Sequence, residues 1–278
     1  MTKVLIDSDH HRRIPLSQNV VRNSGFDRLL LNRSITPDRT RLVTADYDHL
    51  LADERLTLMG EMIVERNGGS LRTFVGNRAH ENGYWPSFKR KRLQHWEGET
   101  QRYALLAAEC DHAVEWAQSE PCLLKFPIGN EMFEWYADLQ VSLFDAPDEL
   151  WEIKRNERDL ADERYRLKLA GVREICRRIG MRFRLVMAED IVVSRHHRNN
   201  LELFASRRFL HISPHHMRCF EAFALNNGPD TTYGELANVL EPQCSARGAA
   251  VIQALTVRRR VEIDLRSFLT SCTPVRIH

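Results

Sequence analysis

The sequence predicts a mixed α/β protein, in which a sheet flanked by helices is followed by a smaller C-terminal α+β domain. Three patterns support this fold class. Apolar residues alternate through residues 133–143 and again after residue 149, as in two strands joined by a turn. An amphipathic helix spans residues 165–179, and another strand follows it. From residue 230 onward, a helix, a turn, a second helix and a strand succeed one another.

Composition and charge place the chain among ordinary globular proteins. Its 278 residues are 43% hydrophobic and 28% charged, with a formal net charge of +2, and the length allows two domains. There is no signal-peptide core and no run of about 18 apolar residues. The cysteines form no CxxC pair, so neither a zinc ribbon nor a disulfide framework is indicated. We therefore expect a cytoplasmic protein with reduced thiols that does not span a membrane.

The chain reads as three segments. Residues 1–85 mix short apolar runs with turn signals and contain no motif, so they are predicted to be an N-terminal extension of unclear role. Residues 86–195 hold the central strands and helices, beginning with a stretch of helical composition over residues 98–118. Residues 196–278 form the C-terminal domain.

The alternating run determines where Asp138 points. Side chains in an extended chain alternate between faces, so Asp138 lies opposite the apolar face of the run. The stretch "DAPDE" favours a turn, and "LWEIK" then places Glu152 and Lys154 two residues apart on one face. If the two strands pair, the carboxylates of Asp138 and Glu152 share a face with Lys154 beside them. The apolar face consists of Phe133, Trp135, Ala137, Leu139, Val141 and Leu143.

A crossover unit follows this hairpin. In "ERDLADERYRLKLAGVREICRRIG" the apolar residues recur at steps of four and three, and Gly180 ends the helix. The stretch "RFRLVMAEDIVV" then returns as a strand. Strand, helix and strand predict a right-handed βαβ unit, which would place the Asp138 face at one edge region of a mixed sheet.

Two carboxylates and a lysine in this arrangement suit metal-dependent phosphodiester cleavage. Carboxylate oxygens bind a divalent cation of the magnesium type, which retains waters and contacts the phosphate. A lysine can orient or deprotonate the attacking water, or offset charge in the transition state. The alternative is an edge strand on which Glu152 and Lys154 form a cross-strand ion pair with no catalytic role.

Basic residues occur in clusters although the net charge is low. Arginines and lysines concentrate in "KRKR" at residues 89–92, between residues 191 and 220, and in "RRR" at residues 258–260. Each cluster alone fits a solvated surface, whereas together they favour a polyanionic partner such as nucleic acid.

The C-terminal segment has the element order of a winged helix. Its second helix would enter a DNA groove, with Arg247 near its start and Arg258, Arg259 and Arg260 near its end. Winged helices also dock proteins, so both double-stranded DNA and a protein partner remain open for this segment.

Over about residues 85–195 the chain resembles the PD-(D/E)xK nuclease superfamily, and more narrowly TnsA-like endonuclease subunits of heteromeric transposases. The resemblance lies in "WPSFKRKRLQHWEGETQRYALLAAECDHAVEWAQSEP" and in the later "DLQV" and "WEIK" strands. It implies a restriction-endonuclease-like sheet and a Mg²⁺ (or Mn²⁺) site. Asp138 matches the family's metal-binding Asp, while Glu152 and Lys154 match its (E/Q)xK pair.

The chain departs from the family at one position. The family's helix glutamate aligns on Gln101, whose neutral oxygen would bind a metal more weakly. Glu97 lies four residues earlier on the same helical face and could take over the role. The predicted metal ligands are therefore Asp138 and Glu152 with Gln101 or Glu97.

Two functions follow from the resemblance. The first is an endonuclease subunit that cuts at mobile-element ends, working with a transposase that has an integrase-like core and an AAA+ ATPase regulator. The second is a catalytically impaired, nuclease-like subunit that binds DNA or recruits those partners. The intact Asp138, Glu152 and Lys154 favour the first, and Gln101 favours the second.

Overall fold

A computed structural model describes residues 11–15, 39–51, 60–72 and 81–278, and its fold is mixed α/β. The strands are β1 (His11–Pro15), β2 (Glu61–Glu65), β3 (Asn82–Ser87), β4 (Arg92–Glu97), β5 (Val114–Ser119), β6 (Cys122–Ile128), β7 (Glu131–Tyr136), β8 (Leu139–Leu143), β9 (Ala146–Lys154), β10 (Arg182–Met187), β11 (Asp230–Thr232), β12 (Val261–Glu262) and β13 (Pro274–Ile277). The α-helices are α1 (Thr40–Thr44), α2 (Asp48–Leu51), α3 (Gly98–Cys110), α4 (Glu163–Arg178), α5 (Ala188–Ile191), α6 (Arg195–Ser206), α7 (Pro214–Asn227), α8 (Tyr233–Leu240) and α9 (Ser245–Val257). Every helix among these residues is too short or too polar to cross a lipid bilayer.

The chain forms two compact units that interleave in sequence. Unit 1 contains the described residues up to Trp85 together with Leu93–Arg102 and Ala117–Ile191. Unit 2 contains Pro86–Arg92, Tyr103–Trp116 and Val192–His278. Each unit is therefore assembled from segments that are distant in sequence.

Most strand residues of two four-stranded sheets belong to unit 1. Sheet I has the order β1-β2-β6-β7 with antiparallel neighbours, and sheet II has the order β10-β9-β8-β5. The described part of residues 1–85 supplies two strands of sheet I and also α1, which packs on α4. This segment thus contributes to the sheets and helices of unit 1.

The predicted alternation through residues 133–143 is confirmed, because all six apolar side chains of that face are at most 7% exposed. The run is nevertheless two strands and not one. It leaves sheet I after Tyr136 and enters sheet II at Leu139. Asp138 therefore lies where the chain passes from one sheet to the other.

The antiparallel hairpin of β8 and β9 is also confirmed, with Leu139 opposite Trp151. Its turn, however, occupies residues 144 and 145 and not the whole of "DAPDE", since β9 already begins at Ala146. A register shift between Val141 and Leu143 marks a bulge there. Such an irregularity accommodates Pro147, which has no N–H to donate to a regular ladder.

The predicted order of strand, crossover helix and parallel strand is confirmed by β9, α4 and β10, because β10 pairs parallel to β9. Asp162 caps α4 by accepting from two backbone N–H groups, and Gly180 follows the helix at φ +77°. The returning strand is shorter than predicted, since β10 ends at Met187 and α5 begins at Ala188. The apolar stripe of α4 packs in the core of unit 1, where Leu169, Val172 and Cys176 are fully buried.

The helix predicted over residues 98–118 is wrong in its second half. Helix α3 ends at Cys110, and Val114–Ser119 forms β5. The Nζ of Lys89 donates to the carbonyls of Ala108, Asp111 and Val114 at 3.0, 2.5 and 2.9 Å. The Lys89 ammonium thus joins the end of α3 to the start of β5.

The residues before Lys89 hold the same end of α3. Glu109 accepts from the Ser87 hydroxyl at 2.7 Å and from the Phe88 N–H at 2.5 Å. Burial lowers the pKa of Lys89 to about 8, partly offset by Asp111 and Glu109. The first lysine of "KRKR" is therefore a structural residue of unit 2 and not part of a solvated basic cluster.

Unit 2 contains α6, then α7, β11, α8, α9, β12 and β13, with the sheet order β11-β13-β12. The alternating stretch "VEIDLRS" forms only the two-residue strand Val261–Glu262. Helices α8 and α9 pack very closely at Gly248, where a Cβ would lie 2.0 Å from the Ala237 carbonyl oxygen. Only glycine fits this crossing.

Candidate functional site

The backbone and the side chain of Asp138 are both hydrogen-bonded to neighbouring segments. Its N–H donates to the Trp151 carbonyl at 3.0 Å, and its own carbonyl accepts from the Glu120 N–H at 3.1 Å. Its carboxylate accepts from the Ile153 N–H at 2.7 Å. Ala137 and Leu139 are fully buried on either side, so the carboxylate points away from the core, as the alternation predicted.

The surroundings of Asp138 destabilise the ionised form of its carboxylate. Burial raises its pKa well above the ordinary value of 3.8, and the negative charges of Glu152 and Glu120 raise it further. The Ile153 N–H and the Lys154 ammonium offset only part of this effect. Folding therefore concentrates negative charge around Asp138.

Glu152 and Lys154 lie on one face of β9, as the sequence predicted. The Lys154 Nζ is 2.6 Å from a Glu152 carboxylate oxygen. The Trp135 indole N–H and the Tyr165 hydroxyl also donate to Glu152, which is only 4% exposed. Both carboxylate oxygens of Glu152 thus contact side chains. Trp135 donates to one oxygen, and Tyr165 and Lys154 contact the other.

Lys154 is a charged ammonium in this site. Burial lowers its pKa, but the charges of Glu152 and Asp138 outweigh burial, so the pKa is raised above 10.5. A lysine with a raised pKa cannot accept a proton at neutral pH. Of the roles predicted from sequence, the geometry favours electrostatic stabilisation over proton abstraction.

Gln101 reaches the same region from the first turn of α3. Its amide nitrogen donates to the Asp138 carbonyl at 2.9 Å and to Glu120 at 3.4 Å. Its amide oxygen, which the sequence offered as a metal ligand, accepts from the Glu97 N–H at 2.7 Å. The side chain therefore connects three segments of unit 1.

Glu120 is a residue of this site that the sequence analysis missed. It is 3% exposed and adopts φ +46°, a left-handed conformation that is uncommon for a residue other than glycine. The Arg72 guanidinium donates to its Oε2 at 2.8 and 2.5 Å. Burial raises the pKa of Glu120, Arg72 opposes this, and Glu97 contributes further to the rise. An acid at the junction of two apolar strands was the only sequence signal.

These side chains surround a cavity of about 220 Å³ in unit 1. The volume is enough for several waters or a hydrated ion, since liquid water occupies about 30 Å³ per molecule. Glu152 is not part of the lining. The lining consists of Arg72, Glu97, Gly98, Thr100, Gln101, Glu120, Asp138, Ile153, Lys154 and Arg155.

The acids of the cavity are spaced more widely than a compact three-ligand cage. Within the described residues, the one group of three His, Cys, Asp or Glu side chains with ligand atoms inside 4.8 Å is His112, Glu262 and His278 of unit 2. A magnesium ion commonly takes one or two carboxylates and retains several waters. The spacing around Asp138 therefore matches an ion of that type better than a fully protein-bound one.

The predicted DNA-binding arginines are mostly engaged inside unit 2. Arg258 donates to the Leu210 carbonyl, Arg259 to that of His112, and Arg260 to that of His278. Residues 251–257 of α9 are all buried, whereas Ser245–Arg247 are exposed. Arg247 is thus the member of the predicted set that stands at an exposed helix start.

One prediction concerns the stability of the site without metal. Asp138→Asn removes the repelled charge and keeps an oxygen for the Ile153 N–H, so we expect the free energy of unfolding in EDTA to rise by about 1–2 kcal/mol at pH 7. The gain should shrink as the pH falls through the raised pKa of Asp138 toward 3.8, because the wild-type carboxyl then becomes neutral in the folded state. Urea titrations of both proteins measure the difference, and a less stable variant at pH 7 would contradict the argument.

No protein-family model matches the chain, and no curated protein is significantly similar to it in sequence.

Proposed function

We propose that this protein is a metal-dependent DNA endonuclease subunit of a heteromeric transposase, which hydrolyses phosphodiester bonds at the ends of a mobile element. The observation that carries the proposal is the convergence of Asp138, Glu120 and Lys154 on one cavity. An acid whose pKa is raised by burial and by neighbouring acids, beside a fixed cation, is typical of functional sites, because folding alone gains nothing from such repulsion.

The donor set fits a hard divalent cation such as Mg²⁺ or Mn²⁺. Asp138 would hold the cation together with a second oxygen ligand from the cavity, and waters would complete its coordination. A bound cation would relieve the repulsion at Asp138, polarise the phosphate and lower the pKa of a coordinated water. The cavity of about 220 Å³ has room for these waters.

The remaining side chains position charge for a phosphodiester. Lys154 directs a permanent positive charge at the cavity, where it offsets the negative charge that develops on the phosphate oxygens. Glu152, anchored by Trp135 and Tyr165, fixes the Lys154 ammonium. Arg155 is exposed at the rim and adds positive charge for the DNA backbone.

The topology of both units supports the same assignment. In sheet II, the antiparallel pair β8–β9 and the parallel pair β9–β10, joined by α4, fit a restriction-endonuclease-like sheet. In unit 2, the order from α7 to β13 is typical of a winged helix. We propose double-stranded DNA as substrate, with a transposase bearing an integrase-like core and an AAA+ ATPase as partners, in the cytoplasm.

A second function is favoured by one observation. Gln101 stands where the resembled family has a glutamate, and its oxygen is engaged by the Glu97 N–H. A site that has lost one acid could bind DNA and recruit partners without cutting. Unit 2 would then carry the binding, through the exposed helix start at Arg247.

Cleavage of an element-end duplex, with the partner subunits present, separates the two functions. We expect nicked or cut product in Mg²⁺ or Mn²⁺, none in EDTA, and none with Asp138→Asn. DNA retention should be equal for wild type and variant, because Asp138 is not a DNA-backbone contact. If wild type and Asp138→Asn both bind DNA and neither cuts in any metal, the recruitment function is the correct one.

A further inference from the structure

We propose that Glu120 supplies the second carboxylate of the Asp138 metal site, with Gln101 as its positioning residue. The proposal rests on the proposed function and assigns the second ligand to a residue other than Gln101, Glu97 and Glu152, which the sequence predicted as ligands beside Asp138. It also explains how a site with glutamine at the helix position can retain the charge for a divalent cation.

Glu152 is poorly placed for this role. Its oxygens accept from the Trp135 indole and the Tyr165 hydroxyl, and it forms an ion pair with Lys154 at 2.6 Å. Glu152 also lies outside the cavity lining. A metal ligand needs an oxygen that faces the cavity, so the geometry assigns Glu152 to holding Lys154.

Gln101 is also less suitable. The Gln101 oxygen faces the Glu97 N–H at 2.7 Å, and its nitrogen faces Asp138 and Glu120, so ligation through oxygen would break a short bond. Glu97 also lines the cavity, and its charge raises the pKa of Glu120. It is therefore the competing carboxylate, which the Glu97→Gln variant below tests.

Glu120 meets the requirements of a ligand. It lines the cavity, it is a main electrostatic neighbour of Asp138, and its N–H donates to the Asp138 carbonyl at 3.1 Å. Arg72 occupies Oε2, whereas Oε1 receives the longer 3.4 Å contact from Gln101. Backbone strain such as φ +46° at Glu120 persists where a particular side-chain direction is required.

The contact between Gln101 and Glu120 indicates that these two residues have exchanged an amide and a carboxylate relative to the resembled family. The helix position carries the amide, and the side chain that it touches carries the charge. Two residues in contact can exchange an amide and a carboxylate without changing the total charge of the cavity. The amide nitrogen of Gln101 then orients Glu120, a role that a second carboxylate could not perform because it has no donor.

Titration with Mn²⁺, followed by calorimetry or by paramagnetic resonance, tests the assignment on the intact chain. We expect Glu120→Gln to weaken Mn²⁺ binding by at least about tenfold, because it removes a charged ligand. The exchange variant Glu120→Gln/Gln101→Glu should recover most of the lost affinity. Glu99→Gln makes the same change on an exposed residue of α3 and should alter the affinity less than about threefold.

Further variants make the result decisive. Arg72→Gln removes the ion pair but keeps Glu120, so unchanged or tighter Mn²⁺ binding shows that lost affinity in Glu120→Gln is not a folding defect. If Asp138→Asn abolishes binding and Glu120→Gln does not, the assignment of Glu120 is wrong and the metal site stands. A loss in Glu97→Gln equal to that in Glu120→Gln would likewise overturn it in favour of Glu97. If neither Asp138→Asn nor Glu120→Gln changes Mn²⁺ binding, the proposed function fails as well.

Discussion

Lys154→Met is expected to slow metal-dependent DNA cleavage by about 10²–10³-fold while leaving Mn²⁺ affinity unchanged or tighter. The Lys154 ammonium is fixed 2.6 Å from Glu152 and its pKa is raised, so it remains positive throughout the neutral range. Under the proposed function, its removal would take away stabilisation of the phosphate charge without removing a metal ligand. Single-turnover cleavage at saturating metal measures the effect, since it separates the rate from metal binding.

Glu152 provides the matched control for this prediction. Lys154→Met alone leaves the buried Glu152 without its cation, which destabilises the fold. The double variant Lys154→Met/Glu152→Gln should restore stability, because the new amide oxygen can accept from the Trp135 indole N–H and the amide NH₂ can donate to the Tyr165 hydroxyl oxygen. Cleavage should stay as slow as in Lys154→Met. Recovery of the rate together with stability would mean that Lys154 acts only through folding.

Lys89→Met is expected to lower the free energy of unfolding of unit 2 by about 2–4 kcal/mol. Three carbonyls between the end of α3 and the start of β5 would lose the ammonium that binds them, and methionine fills the space without a donor. The loss is smaller than the sum of three hydrogen bonds, because burial already disfavours the charged amine and lowers its pKa to about 8. Urea unfolding followed by circular dichroism measures it.

Lys91→Met is the control for Lys89→Met. Lys91 is exposed in the same basic run, so this variant should change stability by less than about 0.5 kcal/mol. Equal effects of the two substitutions would show that the whole run is a solvated surface. The contrast matters for function, because only the exposed members of "KRKR" can contact a polyanion.

Local pattern was sufficient for the central elements of unit 1. Period-two alternation predicted the buried face through residues 133–143, and the stripe on residues 165–179 predicted α4. The antiparallel β8–β9 pair and the parallel β9–β10 pair followed from short connections and a crossover helix. These features depend on residues that are close together in the sequence, so local pattern is enough to predict them.

Element ends were less predictable, because they depend on distant partners. Helical composition continues past Cys110, yet α3 stops there, where Lys89 binds the carbonyls of Ala108 and Asp111. The alternating run continues past Tyr136, yet the chain changes sheets at Asp138. Neither the end of α3 nor the change of sheet can be predicted from composition alone.

The sequence by itself determined that Asp138, Glu152 and Lys154 share one region, since strand period and hairpin pairing fix side-chain direction. Only the tertiary structure decided how the polar atoms are partnered. It engages Glu152 with Trp135, Tyr165 and Lys154, and brings Glu120 beside Asp138. The reason is physical: a buried carboxylate must find donors or charges within about 3 Å, and those partners come from segments that meet only when the two sheets and α4 have packed.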